Sequence, residues 1–443
     1  MIKLSSHFSY KKIIKFTLPS IAMMIFTSIY GIVDGLFVSN FAGDMAFKAI
    51  NLIMPFLMIL GTVGFMFGTG GTAIVAKKIG EGNDKKANEY FSLFVYFTFT
   101  LGVIFSILGI IFIKPVATLL GAEGELLNNC VIYARIILIA LPFLVLQYVF
   151  HSFVIAAEKP KLGLHVTLIA GVTNMILDAL LVILLPKELK LVGAAIATGI
   201  SQILGGLIPL IYFFKKNESL LQLGRTKFYL RPIGKACING SSEFMSNISM
   251  NLVGMIYNIK LIEYAGYDGI AAYGVMMYVG FIFASTFIGY SIGSAPIVSY
   301  NFGSKNYKEL KNVRRKSMII IGILGIVMLL IGELLANPFS RIFVSYDQEL
   351  LNMTTHGFRI FALSFPFMGY AIYGSGFFTA LNDGTTSAII SFLRTLVFQV
   401  LAVILLPIIF KLDGIWASIV VAEFMAVVFT ILFLLLKRKK YNY

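Results

Sequence analysis

The chain has 443 residues, 58% of them hydrophobic and 13% charged, with a mean hydropathy of +0.88. Soluble domains carry about 25% charged residues, so a water-soluble globule of this make-up would have nowhere to put its apolar surface; the composition points to a polytopic membrane protein. The net charge of +15 does not report a nucleic-acid partner, because the basic residues sit in short loops between apolar runs and no basic-aromatic recognition module accompanies them.

Twelve apolar runs are expected as transmembrane helices, at 13–38, 47–75, 92–113, 131–156, 162–186, 191–214, 236–262, 270–298, 317–337, 354–380, 386–410 and 412–436. Each is about 20 residues or longer, enough to cross a bilayer core. Continuous runs of this length exclude a porin-type barrel, whose strands alternate over about ten residues. The first run follows Lys11, Lys12 and Lys15 but is too long for a signal-peptide core, and no small-residue cleavage site follows it. The N-terminal stretch through Lys15, the even-numbered loops and the C-terminus carry 26 of the 36 lysines and arginines. That asymmetry predicts both termini in the cytoplasm.

The chain repeats itself. The stretch after the second run, "GTGGTAIVAKKIGEGNDKK" from Gly68, is echoed after the eighth by "SIGSAPIVSYNFGSKNYKE" from Ser291. At an offset of 223, Gly70 meets Gly293, Gly80 meets Gly303, Asn83 meets Asn306, and Ala42-Gly43 meets Ala265-Gly266. "VILLP" at 182–186 recurs at 403–407. These matches in order argue for duplication of a six-helix unit. Six is even, so both units enter the membrane in the same sense, related by an axis along the membrane normal. The expected organisation is an N-terminal lobe at 1–214, a polar and basic cytoplasmic linker at 215–235 and a C-terminal lobe at 236–443.

Inside the apolar runs, acids stand out. A carboxylate at the centre of a membrane helix costs about 2.5–3.5 kcal/mol on insertion scales. The first run carries Asp34 in "SIYGIVDGLFVSN", and the fifth carries Asn174 and Asp178, four apart and so on one helix face. Thr198 in "GAAIATGISQ" of the sixth run reaches a similar depth. Asp34 alone could snorkel to the interface or cap a helix turn. The repeat argues otherwise: its second copy has Tyr257, Thr395 and Gln399 where the first has Asp34, Asn174 and Asp178, so folding does not require the charges. Two carboxylates, an amide and a hydroxyl form an all-oxygen set suited to a proton or a hard cation such as sodium, not to zinc or copper.

In the seventh run, Glu243, Asn247, Asn251 and Asn258 fall at helical spacing, a polar stripe that would line a water-filled cavity. Glu243 could attract cationic cargo or pair with a loop lysine such as Lys235; Arg394 in the eleventh run could serve a buried acid or a substrate. "GTGGT" lacks the Gly-Lys-Ser/Thr of a phosphate loop. His151 and His165 have no ligand spacing, Cys130 and Cys237 have no metal or disulfide pattern, and no hydrolase arrangement appears, so no enzyme is expected.

"PSIAMMIFTSIYGIVDGLFVSNFAG", "AAEKPKLGL", "NMILDALLV" and "GAAIAT" resemble the multidrug and toxic compound extrusion (MATE) family of cation-coupled transporters. The resemblance spans essentially the whole chain and is nearest the bacterial and archaeal branch of DNA-damage-inducible and staphylococcal-type exporters. By motif match it implies ion coupling at Asp34, Asn174 and Asp178, with Thr198 in support, and a substrate cavity at Glu243, Asn247, Asn251 and Arg394. It implies no cofactor, proton or sodium as coupling ion, small organic and mostly cationic substrates, lipid contact, a monomer, and a place in the bacterial or archaeal inner or plasma membrane. The alternative within the superfamily is a lipid-linked oligosaccharide flippase, whose cavity is more strongly cationic.

Overall fold

The computed structural model of the chain describes residues 2–443, apart from the side chains of Asp44 and Lys187. Among the described residues, every regular element is helical. The first lobe comprises α1 (Tyr10–Phe37, continued by a wide turn at Val38–Ala42), α2 (Asp44–Gly80), α3 (Asp84–Leu119), α4 (Gly124–Ala156), α5 (Pro160–Leu184) and α6 (Lys190–Phe214). A non-helical segment then leads to Leu230–Gly303, 74 residues that run as one hydrogen-bonded helix. At 1.5 Å per residue such a rod would be about 110 Å long, more than three times a bilayer core of about 30 Å.

It is not straight. Gly266 has φ 62° and ψ −151°, and its repeat partner Gly43, at φ 94° and ψ 162°, is the residue that separates α1 from α2. Only a residue without Cβ takes up such angles readily. The long rod is therefore two crossings, α7 (residues 230–265) and α8 (residues 267–303). Next come α9 (Tyr307–Val344) and α10, broken into Gln348–Ala362 and Phe365–Ala380 with a 49° bend. The last apolar helix, Gly384–Leu436, breaks at Lys411 (φ 50°, ψ −128°) into α11 (residues 384–410) and α12 (residues 412–436). Nine helices among the described residues are long and apolar enough to cross a membrane, and the bent pair adds one. Two of the nine hold a break, so the described residues make twelve crossings in two six-helix lobes.

The helix ends differ from the sequence expectation. α3 starts at Asp84 rather than 92, and α9 runs over Tyr307–Val344 rather than 317–337. Hydropathy detects only the part in lipid, whereas the polar first turns are helical because Asn83 and Asn306 cap them; each side chain accepts from the backbone N–H three residues on, Lys86 and Glu309. These two caps are repeat partners. α2 also continues to Gly80 through the stretch from Gly68 that reads as a connection, and the linker ends where α7 begins at Leu230.

α4 is the buried axis of the first lobe: α2, α3 and α6 all pack on it. The lobes meet where α1 and α2 lie against α7 and α8. Glycines set that approach. Gly70 faces the backbone of Ala236 and Gly240, Gly240 faces Met66, Gly80 faces Tyr300, Gly303 faces Lys77, and Gly293 faces Thr17. The offset of 223 maps Gly70 onto Gly293, Gly80 onto Gly303 and Thr17 onto Gly240, so the contacts come in pseudo-symmetric pairs toward the face that carries the basic loops.

Both chain ends lie on that face. Leu4 donates its N–H to Glu158 Oε1 (2.6 Å) of the first lobe, and Phe8 donates to Glu309 Oε1 (2.8 Å) of the second. At the other end, Tyr441 donates its hydroxyl to Asp383 Oδ2 (2.8 Å). An even number of crossings requires this arrangement.

Candidate functional site

Asp34 lies one turn before the end of α1, on the side away from the basic face. From α6, Thr198 donates its hydroxyl to Asp34 Oδ1 at 3.3 Å. From α5, Asn174 and Asp178 present successive turns of the face that packs on α1, with 1% and 0% of their surfaces exposed. Both lie beside Asp34. The structure thus brings the four residues of the first-lobe set together.

It leaves the two α5 side chains unsatisfied. Neither oxygen of Asp178 nor either polar atom of Asn174 has a hydrogen-bond partner, and among the described residues no Lys, Arg or His forms an ion pair with Asp34 or Asp178. Burying a carboxylate without a counter-charge or donor costs several kcal/mol. A proton shared by the two acids, or a hard cation among their oxygens, removes that cost. Among the described residues no three His, Cys, Asp or Glu side chains converge.

Two residues that the sequence reading passed over border this site. Tyr133 of α4, 1% exposed, lies near Asp34, Asp178 and Thr198. Tyr30, one turn before Asp34, neighbours Asp34 and Gln147. A tyrosine in an apolar run carries little sequence signal, because most such rings sit at interfaces or pack in lipid-facing layers.

The second lobe holds a neutral counterpart. Tyr257 donates its hydroxyl to Gln399 Oε1 at 2.9 Å, buried; these are the repeat equivalents of Asp34 and Asp178. Where the first lobe has two acids facing each other, the second has a satisfied phenol-amide pair.

Glu243 lines a small, mostly apolar cavity between the lobes, with Thr69, Thr72, Ser152, Ser291 and Thr379 also on its wall. The hydroxyls of Thr72 and Ser152 have no partner there. Lys235, considered above as its ion-pair partner, instead neighbours Lys77, Lys78, Glu81 and Arg231. Asn247 and Asn251 turn back on their own helix, donating to the carbonyls of Glu243 (2.8 Å) and Asn247 (3.0 Å). Arg394 is not free: its Nε donates to both carboxylate oxygens of Glu423, at 2.9 and 2.8 Å. Of the two roles open to Arg394, the geometry supplies the buried acid. Glu423 was legible by the same rule that singled out Asp34, an acid inside an apolar run, and was missed in the twelfth.

Fold and site together define a polytopic helical membrane protein built from a repeated six-helix unit around an interior polar site. The sequence model of the MatE family matches it twice, at residues 19–180 and 244–405, and the chain belongs to that family, whose members are membrane transporters and not enzymes. It is similar to the Multidrug export protein MepA of Staphylococcus haemolyticus, 28% identical over 419 residues, covering 94% of this chain and 90% of that protein. MepA of Staphylococcus aureus is 26% identical over 435 residues, covering 97% and 94%. Among solved structures, an outward-facing multidrug resistance MATE family transporter of the MOP superfamily superposes with a TM-score of 0.92 at 20% identity, over 98% of this chain and 97% of that one. That likeness concerns the fold.

Proposed function

We propose that this protein exports small organic, mostly cationic compounds by alternating access, in exchange for protons or sodium ions moving inward. The observation that carries the reading is the pair of a half-buried Asp34 and a fully buried Asp178, without counter-charge, in one lobe of a duplicated scaffold whose other lobe replaces it with Tyr257 and Gln399. An ion entering from the outer side neutralises the acids. The outer end of α1 then shifts. Gly31 and Gly35 flank Asp34 with no atom within 4 Å of where a Cβ would stand, and the wide turn at Val38–Ala42 follows; both are places where helices bend. One charge crossing 100 mV supplies about 2.3 kcal/mol, before any concentration gradient is added.

In this reading the lobes are 1–214 and 230–443, joined by 215–229, and the basic face with both termini is cytoplasmic. The protein works as a monomer in a bacterial or archaeal plasma membrane. Asp34, Asn174, Asp178 and Thr198 handle the ion; Glu243, Asn247 and Asn251 face the cargo, and Arg394 holds Glu423 beside them. The relatives' names as multidrug export proteins support the cargo class. The flippase alternative calls for a cationic cavity, and the acid at Glu243 together with the neutralised Arg394 weighs against it.

Expression in an efflux-deficient host tests the activity. Raised resistance to cationic dyes, biguanides or fluoroquinolones is expected. No resistance to any of them, with membrane expression verified, would overturn it, and rescue of a flippase-deficient strain would favour the alternative.

A further inference from the structure

On the lipid side of the first lobe, α3 and α6 both lean on α4. They touch at Phe91 and Phe213, whose rings are 5.0 Å apart. Beside that contact a groove of about 400 Å³ runs between them, walled by Tyr96 and Phe99 from α3 and by Leu210, Ile211, Phe214 and Lys215 from α6. The wall is apolar except at one end, where Lys215 terminates α6.

That end is basic beyond Lys215. Residues 215–227 hold Lys215, Lys216, Arg225 and Lys227 against a single acid, Glu218. The segment is strapped to the start of α3: Gln222 donates its N–H to Asn88 Oδ1 (2.7 Å), Gly224 donates to Ser92 Oγ (3.0 Å), and the Thr226 hydroxyl donates to the Glu89 carbonyl (2.8 Å). Ser92 lies one turn from Tyr96, so the strap that carries Arg225 is tied down one helical turn from the trough. Glu89, the acid nearest the strap, is taken by Lys86 and Tyr229. The Lys215 ammonium forms no ion pair, hydrogen bond or ring contact among the described residues, and its side chain is exposed.

A mouth with cationic groups above an apolar trough has the polarity of one molecule class in its surroundings: a glycerophospholipid with a net negative headgroup. We propose that α3, α6 and the 215–227 strap form a binding site for an anionic phospholipid of the leaflet on the basic face. Its phosphate and headgroup would sit on Lys215 with Lys216 and Arg225, and the upper part of one acyl chain would lie between Tyr96, Phe99, Ile211 and Phe214. A zwitterionic lipid fills the same trough but brings a positive group to a positive mouth.

The test is native mass spectrometry of the purified, delipidated full chain, titrated with phosphatidylglycerol and phosphatidylcholine of equal chain length. Phosphatidylglycerol is expected to be retained preferentially. Lys215→Gln should cut that preference about fivefold, and Lys215→Gln with Lys216→Gln further, since each lysine near the membrane surface contributes a similar factor. Phosphatidylcholine binding should stay unchanged in both. Leu210→Trp, which fills the trough, should weaken both lipids; Lys305→Gln, on another basic loop, should weaken neither. Equal retention of the two lipids by the parent would overturn the proposal. A preference untouched by Lys215→Gln, or lost equally with Lys305→Gln, would assign it to general surface charge and overturn the site.

Discussion

Replacing Gly240 by alanine adds one methyl group at the tightest point between the lobes. A Cβ there would lie 2.6 Å from the Met66 carbonyl carbon and 2.8 Å from its Cα, with the carbonyl oxygen nearer still. Ordinary contact begins near 3.4 Å, so α2 and α7 must separate by at least 3.4 − 2.6 = 0.8 Å. The obstacle is backbone, which cannot swing aside as a side chain would. Overpacking of this kind costs about 1–3 kcal/mol, and the cost falls only on the state in which the lobes touch at the basic face. A two-state equilibrium biased by that amount moves about 5- to 150-fold. Spin labels at Lys85→Cys and Lys308→Cys, repeat-related exposed sites on that face, in a background with Cys130 and Cys237 replaced by serine, read the separation by electron–electron double resonance. Gly240→Ala should enlarge the long-distance population. Gly234→Ala on the same helix, where a Cβ meets nothing within 4 Å, should not. An unchanged distance distribution in a well-folded Gly240→Ala protein would refute the reasoning that these glycines hold the face shut.

Arg394→Leu strands Glu423, which is 2% exposed, and should cost about 3–5 kcal/mol of stability; Arg394→Leu with Glu423→Leu should recover most of it in thermal unfolding, and equal losses in the single and double variants would show that the pair is not what holds α11 to α12. Asp178→Asn removes a buried charge that has no partner, so it should leave the unfolding temperature unchanged or raise it, by an amount corresponding to as much as about 1–3 kcal/mol. A fall of several degrees would mean that the carboxylate is satisfied in the folded protein after all.

The fold was largely legible in the sequence because lipid imposes one rule on every crossing: apolar length. The repeat was legible because Gly43 and Gly266, and Asn83 and Asn306, do the same backbone work in each half, a positive-φ break and a helix cap. The helix ends were not, since the turns outside the bilayer obey capping rather than hydropathy. In the first-lobe set, spacing placed Asn174 and Asp178 on one face, and depth brought Thr198 level with Asp34; the hydrogen bond from Thr198 agrees with that geometry. Arg394 could not be resolved from sequence because its partner, Glu423, is 29 residues away, and nothing in spacing says that α11 and α12 face each other there. Tyr133 was invisible for a different reason. Its contribution depends on which way α4 is rotated, and α4, buried nearly all round, has no polar face to fix that rotation.

Ion coupling through Asp34 and Asp178 is tested most directly by uptake of a fluorescent organic cation into or out of proteoliposomes under an imposed proton gradient and, separately, an imposed sodium gradient. The parent protein should move the cation against its own gradient with one of the two ions. Asp34→Asn and Asp178→Asn should each abolish gradient-driven movement while the folded protein remains in the membrane. Variants that still respond to the gradient as the parent does would place the coupling site elsewhere and contradict the role given to this pair of acids.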